Sequence, residues 1–191
     1  MRVFHFLILL SAWWISGAQA APVAPVGHAG ELTAWRHGDT PALSLSDLAG
    51  QPHRLEDYRG KVVVVNFWAT WCEPCRREMP ALQRLAQQMP DRVVVLTIDV
   101  GETPERIRRF LALTRIDLPV LLDRDNTVAR EWKARGLPTS YVIGPDGRIA
   151  YYYIGPLEWT SPRVTRVIER LALKKVTAAS RRPETLVGAA D

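Results

Sequence analysis

The chain has 191 residues, 47% of them hydrophobic and 24% charged, with a formal net charge of +5. An ordinary apolar fraction and a modest charge exclude a wholly disordered chain, and two cysteines three positions apart exclude a disulfide-stapled scaffold. A single long uncharged stretch, at the N-terminus, excludes a polytopic membrane protein, and the length suits one domain with a sizeable core.

The first predicted element is an export signal. Arg2 supplies a positive n-region, residues 3–15 are nearly continuous apolar sequence broken by His5 and Ser11, and Ala18-Gln19-Ala20 is an A-x-A cleavage site. The alternative is an uncleaved anchor, but the apolar run is short against the roughly 20 residues that a span needs. Either way the globular part is expected outside the cytoplasmic membrane. Both cysteines lie far downstream of the cleavage site, which speaks against a lipoprotein anchor. Residues 21–30 (APVAPVGHAG) read as a linker, 31–175 as the domain, and 176–191, which lose all periodicity, as a flexible tail.

Within the domain, strands and helices alternate. Residues 32–37, 42–45 and 53–55 predict short strands, with a turn at Ala49-Gly50. Residues 61–69 are a β-branched run without alternation, the pattern of a strand buried on both faces. A helix follows over 74–89, with Met79, Leu82, Leu85 and Met89 at helical spacing and Pro80 expected to kink it. Residues 92–100 predict a second buried strand. Thr103 is an N-cap and Pro104 a first helical residue for a helix to about 114. A short strand at 118–122 and a helix at 126–134, stopped by Gly136, come next. Residues 139–143 and 148–153 flank Pro145-Asp146-Gly147 as an antiparallel hairpin. Ser161 and Pro162 open a last helix to about 175. A βαβ crossover followed by helices, a hairpin and a terminal helix requires an α/β fold with a mixed central sheet, helices on both faces and an N-terminal β extension.

The charge identifies no polyanionic partner. Arg106, Arg108 and Arg109 share one helix with Glu105 and read as its solvated face. No basic stripe is interleaved with aromatics, so nucleic acid is not an expected partner.

The chemistry is concentrated at Trp71-Cys72-Glu73-Pro74-Cys75. The spacing puts both thiols on the first turn of a helix that follows a strand, close enough for a reducible disulfide. Cys72 lies at the helix N-terminus, where free amides and the helix dipole favour the thiolate, the attacking species in disulfide exchange. Cys75, further in, is placed to resolve a mixed disulfide, and Pro74 costs no hydrogen bond in a first turn. A structural disulfide closing so short a loop would constrain little. A zinc knuckle needs two more cysteines or paired histidines, but no further cysteine exists and His5, His28, His37 and His53 are scattered. Inert buried cysteines would not need Glu and Pro between them. A redox dithiol with no further cofactor and no metal is the reading that remains.

The run from Asn66 to Pro80 (NFWATWCEPCRREMP) resembles the active-site segment of the exported thioredoxin-like thiol–disulfide oxidoreductases, the TlpA/ResA family. Tyr58-Arg59-Gly60-Lys61, Leu137-Pro138-Thr139 and Pro145-Asp146-Gly147 also sit where that family has them, so the resemblance extends from about residue 41 to about 171. It implies a thioredoxin-like fold and a reducing role. Pro138 resembles the family's cis-proline opposite the dithiol, which would leave the Leu137 backbone free to pair with a substrate strand. Glu78, one turn beyond Cys75, resembles the acid that handles the second thiol's proton; half-buried, it would titrate high. Asn66 stands where cytoplasmic thioredoxins carry a buried Asp. It cannot exchange a proton, so that duty falls to Glu78. Trp68 and Trp71 are expected to pack beneath and beside the disulfide, and Glu73 to add negative charge beside Cys72. Tyr151, Tyr152 and Tyr153 read as strand packing. Trp159, near Gly155, falls in a loop resembling one of the family but receives no role.

The resemblance therefore implies a periplasmic or otherwise extracytoplasmic protein-disulfide reductase. Its clients would be proteins with disulfides or thiols, for instance in cytochrome c or copper-site assembly, and a membrane thiol-electron transporter would be its electron donor. The alternatives are a dithiol oxidase running in the opposite direction and a thioredoxin-shaped copper-handling module. A peroxidase, with one reacting cysteine beside a Thr and a distant Arg, does not fit the pattern.

Overall fold

The computed structural model of the protein describes residues 30–179, so the expected signal at 1–20, the linker up to residue 29 and the tail from 180 lie outside the described residues. In chain order the elements are β1 (Thr33–Ala34), β2 (Ser44–Ser46), β3 (Pro52–Arg54), a 3₁₀ turn (Leu55–Tyr58), β4 (Val62–Trp68), α1 (Glu73–Gln88), β5 (Val93–Val100), α2 (Pro104–Ala112), β6 (Val120–Asp123), α3 (Thr127–Glu131), β7 (Thr139–Ile143), β8 (Ile149–Ile154) and α4 (Pro162–Ala179). The main sheet has six strands in the order β1-β8-β7-β4-β5-β6, and β2 and β3 form a separate pair. β4, β5 and β6 run parallel through the α1 and α2 crossovers. β7, β8 and β1 extend the sheet antiparallel. This is the mixed α/β architecture that the sequence pattern requires.

All seven residues of β4 are buried because helices cover both faces of the sheet. On one face Val62, Val64, Val93 and Val95 pack against Leu82, Leu85 and Met89 of the α1 region and Val164 and Ile168 of α4. On the other, Val63, Val65, Phe67, Leu96 and Ile98 meet Val128, Ala129 and Trp132 at α3. Each fully buried aliphatic side chain in this stack contributes roughly 1.5–3 kcal/mol. The rigid slab fixes the ends of β4 and β7, and the chemistry is mounted there.

Three local expectations change. The first strand shortens to Thr33–Ala34, which pair with Tyr152 and Tyr151 at the sheet edge. α3 ends at Glu131 rather than near 134, because the chain turns through the left-handed region at Lys133 (φ 56°), so Gly136 is not the stop. Trp132 anchors that end, its Nε1 donating to Ala42 O at 3.0 Å. α4 runs to Ala179, four residues into the stretch read as tail.

Candidate functional site at the β4–α1 junction

β4 delivers the chain to a short link, and α1 opens immediately after Cys72. Cys72 is the N-cap: its backbone is extended and its sulfur accepts a hydrogen bond from Cys75 N at 3.3 Å. Pro74 occupies the first turn, where an N–H would have no partner within the helix. Cys72 and Cys75 are joined by a disulfide, with Cα atoms 5.3 Å apart. Cys72 is 4% exposed and Cys75 is fully buried, so the N-cap sulfur is the one an incoming group meets. Trp68 and Met79 pack in the same apolar cluster as the two cysteines.

The Leu137–Pro138 peptide is cis. Phe67 on β4 pairs with Thr139 on β7, so Pro138 lies level with the C-terminal end of β4, the end that leads into the dithiol. Leu137 packs against the cluster that holds the cysteines and, being before β7, stands outside its ladder.

Glu78 is nearly buried on α1, one turn past Cys75. Its Oε1 accepts from Asn66 Nδ2 at 2.7 Å, and its Oε2 accepts from Leu157 N at 2.9 Å and Trp159 Nε1 at 3.3 Å. Burial penalises the charged form more than these donors favour it, and the carboxyl is pushed up to about 7. It can therefore hold or release a proton near neutral pH. Asn66 is fully buried and also donates to Ser140 Oγ at 2.9 Å, while its Oδ1 has no partner among the described residues.

Two expectations need correction. Trp71 is not buried against the disulfide: it is 62% exposed, while Trp68 is fully buried in the cluster that holds the cysteines. Glu73 does not act as a lone negative charge beside Cys72. Its carboxylate pairs with Arg76 at 3.1 Å and Arg77 at 3.3 Å, which offset it. Asn66, Cys72, Pro74, Cys75, Glu78, Leu137 and Pro138 are brought together around the C-terminal end of β4 and the start of β7, in the middle of the sheet.

Sequence reasoning missed two sets of residues. Trp159, Leu157 and Ser140 belong to the hydrogen-bonded cage of Glu78 and Asn66, although they lie far along the chain. Glu102 accepts from Thr70 N at 2.5 Å and from Thr70 Oγ1 at 2.7 Å, and pairs with Arg106 Nε at 2.5 Å. It thereby ties the link ahead of Cys72 to the start of α2. Arg106 is thus not simply part of a solvated face. Asp99, at the end of β5, accepts from Glu102 N at 3.1 Å. Burial, and then the Glu102 side chain, hold its carboxyl well above the usual range. A Thr before the dithiol and a Glu-x-x-x-Arg pair at the α2 start were the available signals, but nothing local joined them. Among the described residues no group of three or more His, Cys, Asp or Glu side chains is gathered as metal ligands.

Comparison with known proteins agrees with this geometry. Residues 38–152 match the model of the AhpC/TSA family. The chain is 36% identical over 143 residues to thiol-disulfide oxidoreductase ResA of Geobacillus kaustophilus, covering 74% of this chain and 81% of that one. It is 38% identical over 129 residues to the ResA of Geobacillus thermodenitrificans, covering 66% of this chain and 74% of that one. The pneumococcal exposed lipoprotein thioredoxin of Streptococcus pneumoniae has a similar crystal structure. The TM-score is 0.58 at 28% identity, over 69% of this chain and 100% of that one.

Proposed function

The chain belongs to the AhpC/TSA family and to its ResA-type thiol–disulfide oxidoreductases, and we propose that it is exported and reduces disulfides of extracytoplasmic client proteins. In the reduced protein the Cys72 thiolate, favoured by the N-terminus of α1, attacks one sulfur of a client disulfide. A mixed disulfide forms, and the client's other sulfur leaves as a thiolate. The Cys75 thiol gives its proton to Glu78 and attacks Cys72 Sγ. The Cys72–Cys75 bond closes, and the client's second sulfur is released. Two electrons have then passed to the client, and the protein rests in the disulfide form.

The Leu137 backbone, held before cis-Pro138, pairs with the client strand during the attack. Asn66 and Trp159 orient the Glu78 carboxyl. Trp71, exposed beside Cys72, offers the client an apolar contact, and Pro74 preorganises the first turn. No group besides the dithiol is needed as cofactor. Re-reduction requires a donor outside the cytoplasm, for which a membrane thiol-electron transporter is the fitting class. Cytochrome c and copper-site assembly are the client settings that the resemblance to the TlpA/ResA family implies.

The observation that carries the reading is Cys72 at the N-cap, bonded to a fully buried Cys75, with Glu78 one turn further on. The test is trapping. The reduced Cys75→Ser protein should accumulate a mixed disulfide with insulin through Cys72, visible on non-reducing gels and by mass spectrometry. The Cys72→Ser protein should accumulate none. Trapping through Cys75 alone, or by neither variant, contradicts the assignment.

A further inference from the structure

A groove of ≈ 690 Å³ runs along α1 towards the end of α2, and the exchange chemistry does not use it. It starts at Glu73, the residue next to Cys72. Phe110 and Leu113 supply apolar lining. Leu113 is 84% exposed, more than any other exposed large apolar side chain among the described residues. Around it stand the guanidiniums of Arg76, Arg77, Arg84 and Arg115. Glu73 is the single carboxylate in the lining, and Arg76 and Arg77 share it. Arg84 and Arg115 have no ion pair among the described residues.

Four guanidiniums against one carboxylate leave this face with an excess of positive charge, and an exposed Leu among them gains nothing from its position in the free protein. Both features become favourable against a surface that is acidic and carries an apolar anchor: guanidiniums take carboxylates in paired hydrogen bonds, and an apolar side chain covers Leu113. From Glu73 to Arg84 the helix rises about 16 Å, the span of about five residues of extended chain. A segment lying in the groove therefore stays within reach of the Cys72 sulfur.

We propose that this groove docks an acidic segment of the redox partner protein, with an apolar side chain on Phe110 and Leu113 and carboxylates against Arg84 and Arg115. The proposal rests on the reading that a protein partner presents sulfur to Cys72. It adds the chemistry by which that partner is recognised: partners with acidic flanks exchange faster, and salt removes the advantage.

The probe is a cysteine-free, fluorescein-labelled peptide of glutamates around two leucines, with its lysine counterpart as control. Binding to the full chain is followed by anisotropy at about 20 mM and about 200 mM salt. The glutamate peptide should bind, the lysine peptide should not, and added salt should weaken the complex. Arg84→Glu/Arg115→Glu should weaken binding about tenfold or more at low salt. Leu113→Ser should weaken it several-fold at both salt concentrations. Thermal unfolding confirms that each variant is folded, as expected for exposed positions. Equal binding of both peptides, or binding untouched by the double substitution, overturns the proposal. So does attachment to phosphatidylglycerol vesicles through the same arginines without affinity for the peptide, which would make the groove a membrane contact. Since the probe contains no sulfur, failure of the trapping experiment refutes the exchange chemistry without altering this result.

Discussion

Glu78→Gln replaces a buried carboxyl by a neutral amide of the same shape. In the native protein the carboxyl is raised from 4.5 to about 7, chiefly by burial. That difference corresponds to about 3 kcal/mol of preference for the neutral form. Below about pH 4.5 the group is neutral in both folded and unfolded chains and contributes no penalty. As pH rises towards 7 the unfolded chain releases its proton while the native state retains it, so stability falls. Above 7 the native carboxyl is ionised as well, and the full penalty of about 3 kcal/mol is present. The amide has no such dependence. Its oxygen can keep the bonds from Leu157 and Trp159, and its NH₂ group can face Asn66, whose free Oδ1 turns to accept it. The pH-independent offset is therefore small, about 1 kcal/mol. Urea unfolding of the two oxidised proteins across about pH 4.5–8 should show the variant gaining about 3 kcal/mol on the wild type as pH rises. A difference that stays flat with pH refutes the buried-carboxyl argument. The same variant should lose the limb of the rate–pH profile centred near 7, with exchange slower by about 100-fold.

Asn66→Asp sets a second carboxyl against Glu78 Oε1, now 2.7 Å from the amide nitrogen. Two such groups cannot both ionise cheaply, so between about pH 5 and pH 8 stability should fall by about 2 kcal/mol or more beyond the fall that the wild type itself shows, as urea midpoints will report. Glu102→Gln leaves an NH₂ group facing either Thr70 N–H or Arg106 and should cost about 1–3 kcal/mol by urea unfolding. A variant as stable as the wild type would deny that Glu102 holds the link before Cys72. Thr103→Ala removes the oxygen that accepts from Arg106 N at 3.4 Å. It should lower stability by about 1 kcal/mol in thermal unfolding.

The parts of the site set by near neighbours in the chain were readable from residues alone. Cys72 at the N-cap, Pro74 in the first turn and Glu78 a turn beyond Cys75 all follow from helix geometry and short spacing. The buried β4 run was equally plain, because a strand covered on both faces carries no alternation. What could not be read was closure over distance. Trp159 and Leu157 reach Glu78 only after the hairpin β7–β8 returns to the sheet and the chain turns into α4. Glu102 and Arg106 look like an ordinary helix pair until the β5–α2 crossover sets them against Thr70. Trp71 misled because an aromatic next to a cysteine suggests cover, whereas its orientation depends on how the link leaves β4. The cis state at Pro138 was legible through the family resemblance, not through the physics of Leu-Pro-Thr.

The direction of electron flow is the central claim, and the reduction potential of the Cys72–Cys75 couple tests it most directly. The full protein is equilibrated with dithiothreitol or glutathione buffers, and the oxidised fraction is read from the fluorescence of Trp68, which packs with the dithiol. A potential near or below about −250 mV marks a reductant supplied from a membrane donor, as proposed here. A value near about −120 mV marks an oxidant that gives its disulfide away, and the direction of the mechanism would then be reversed.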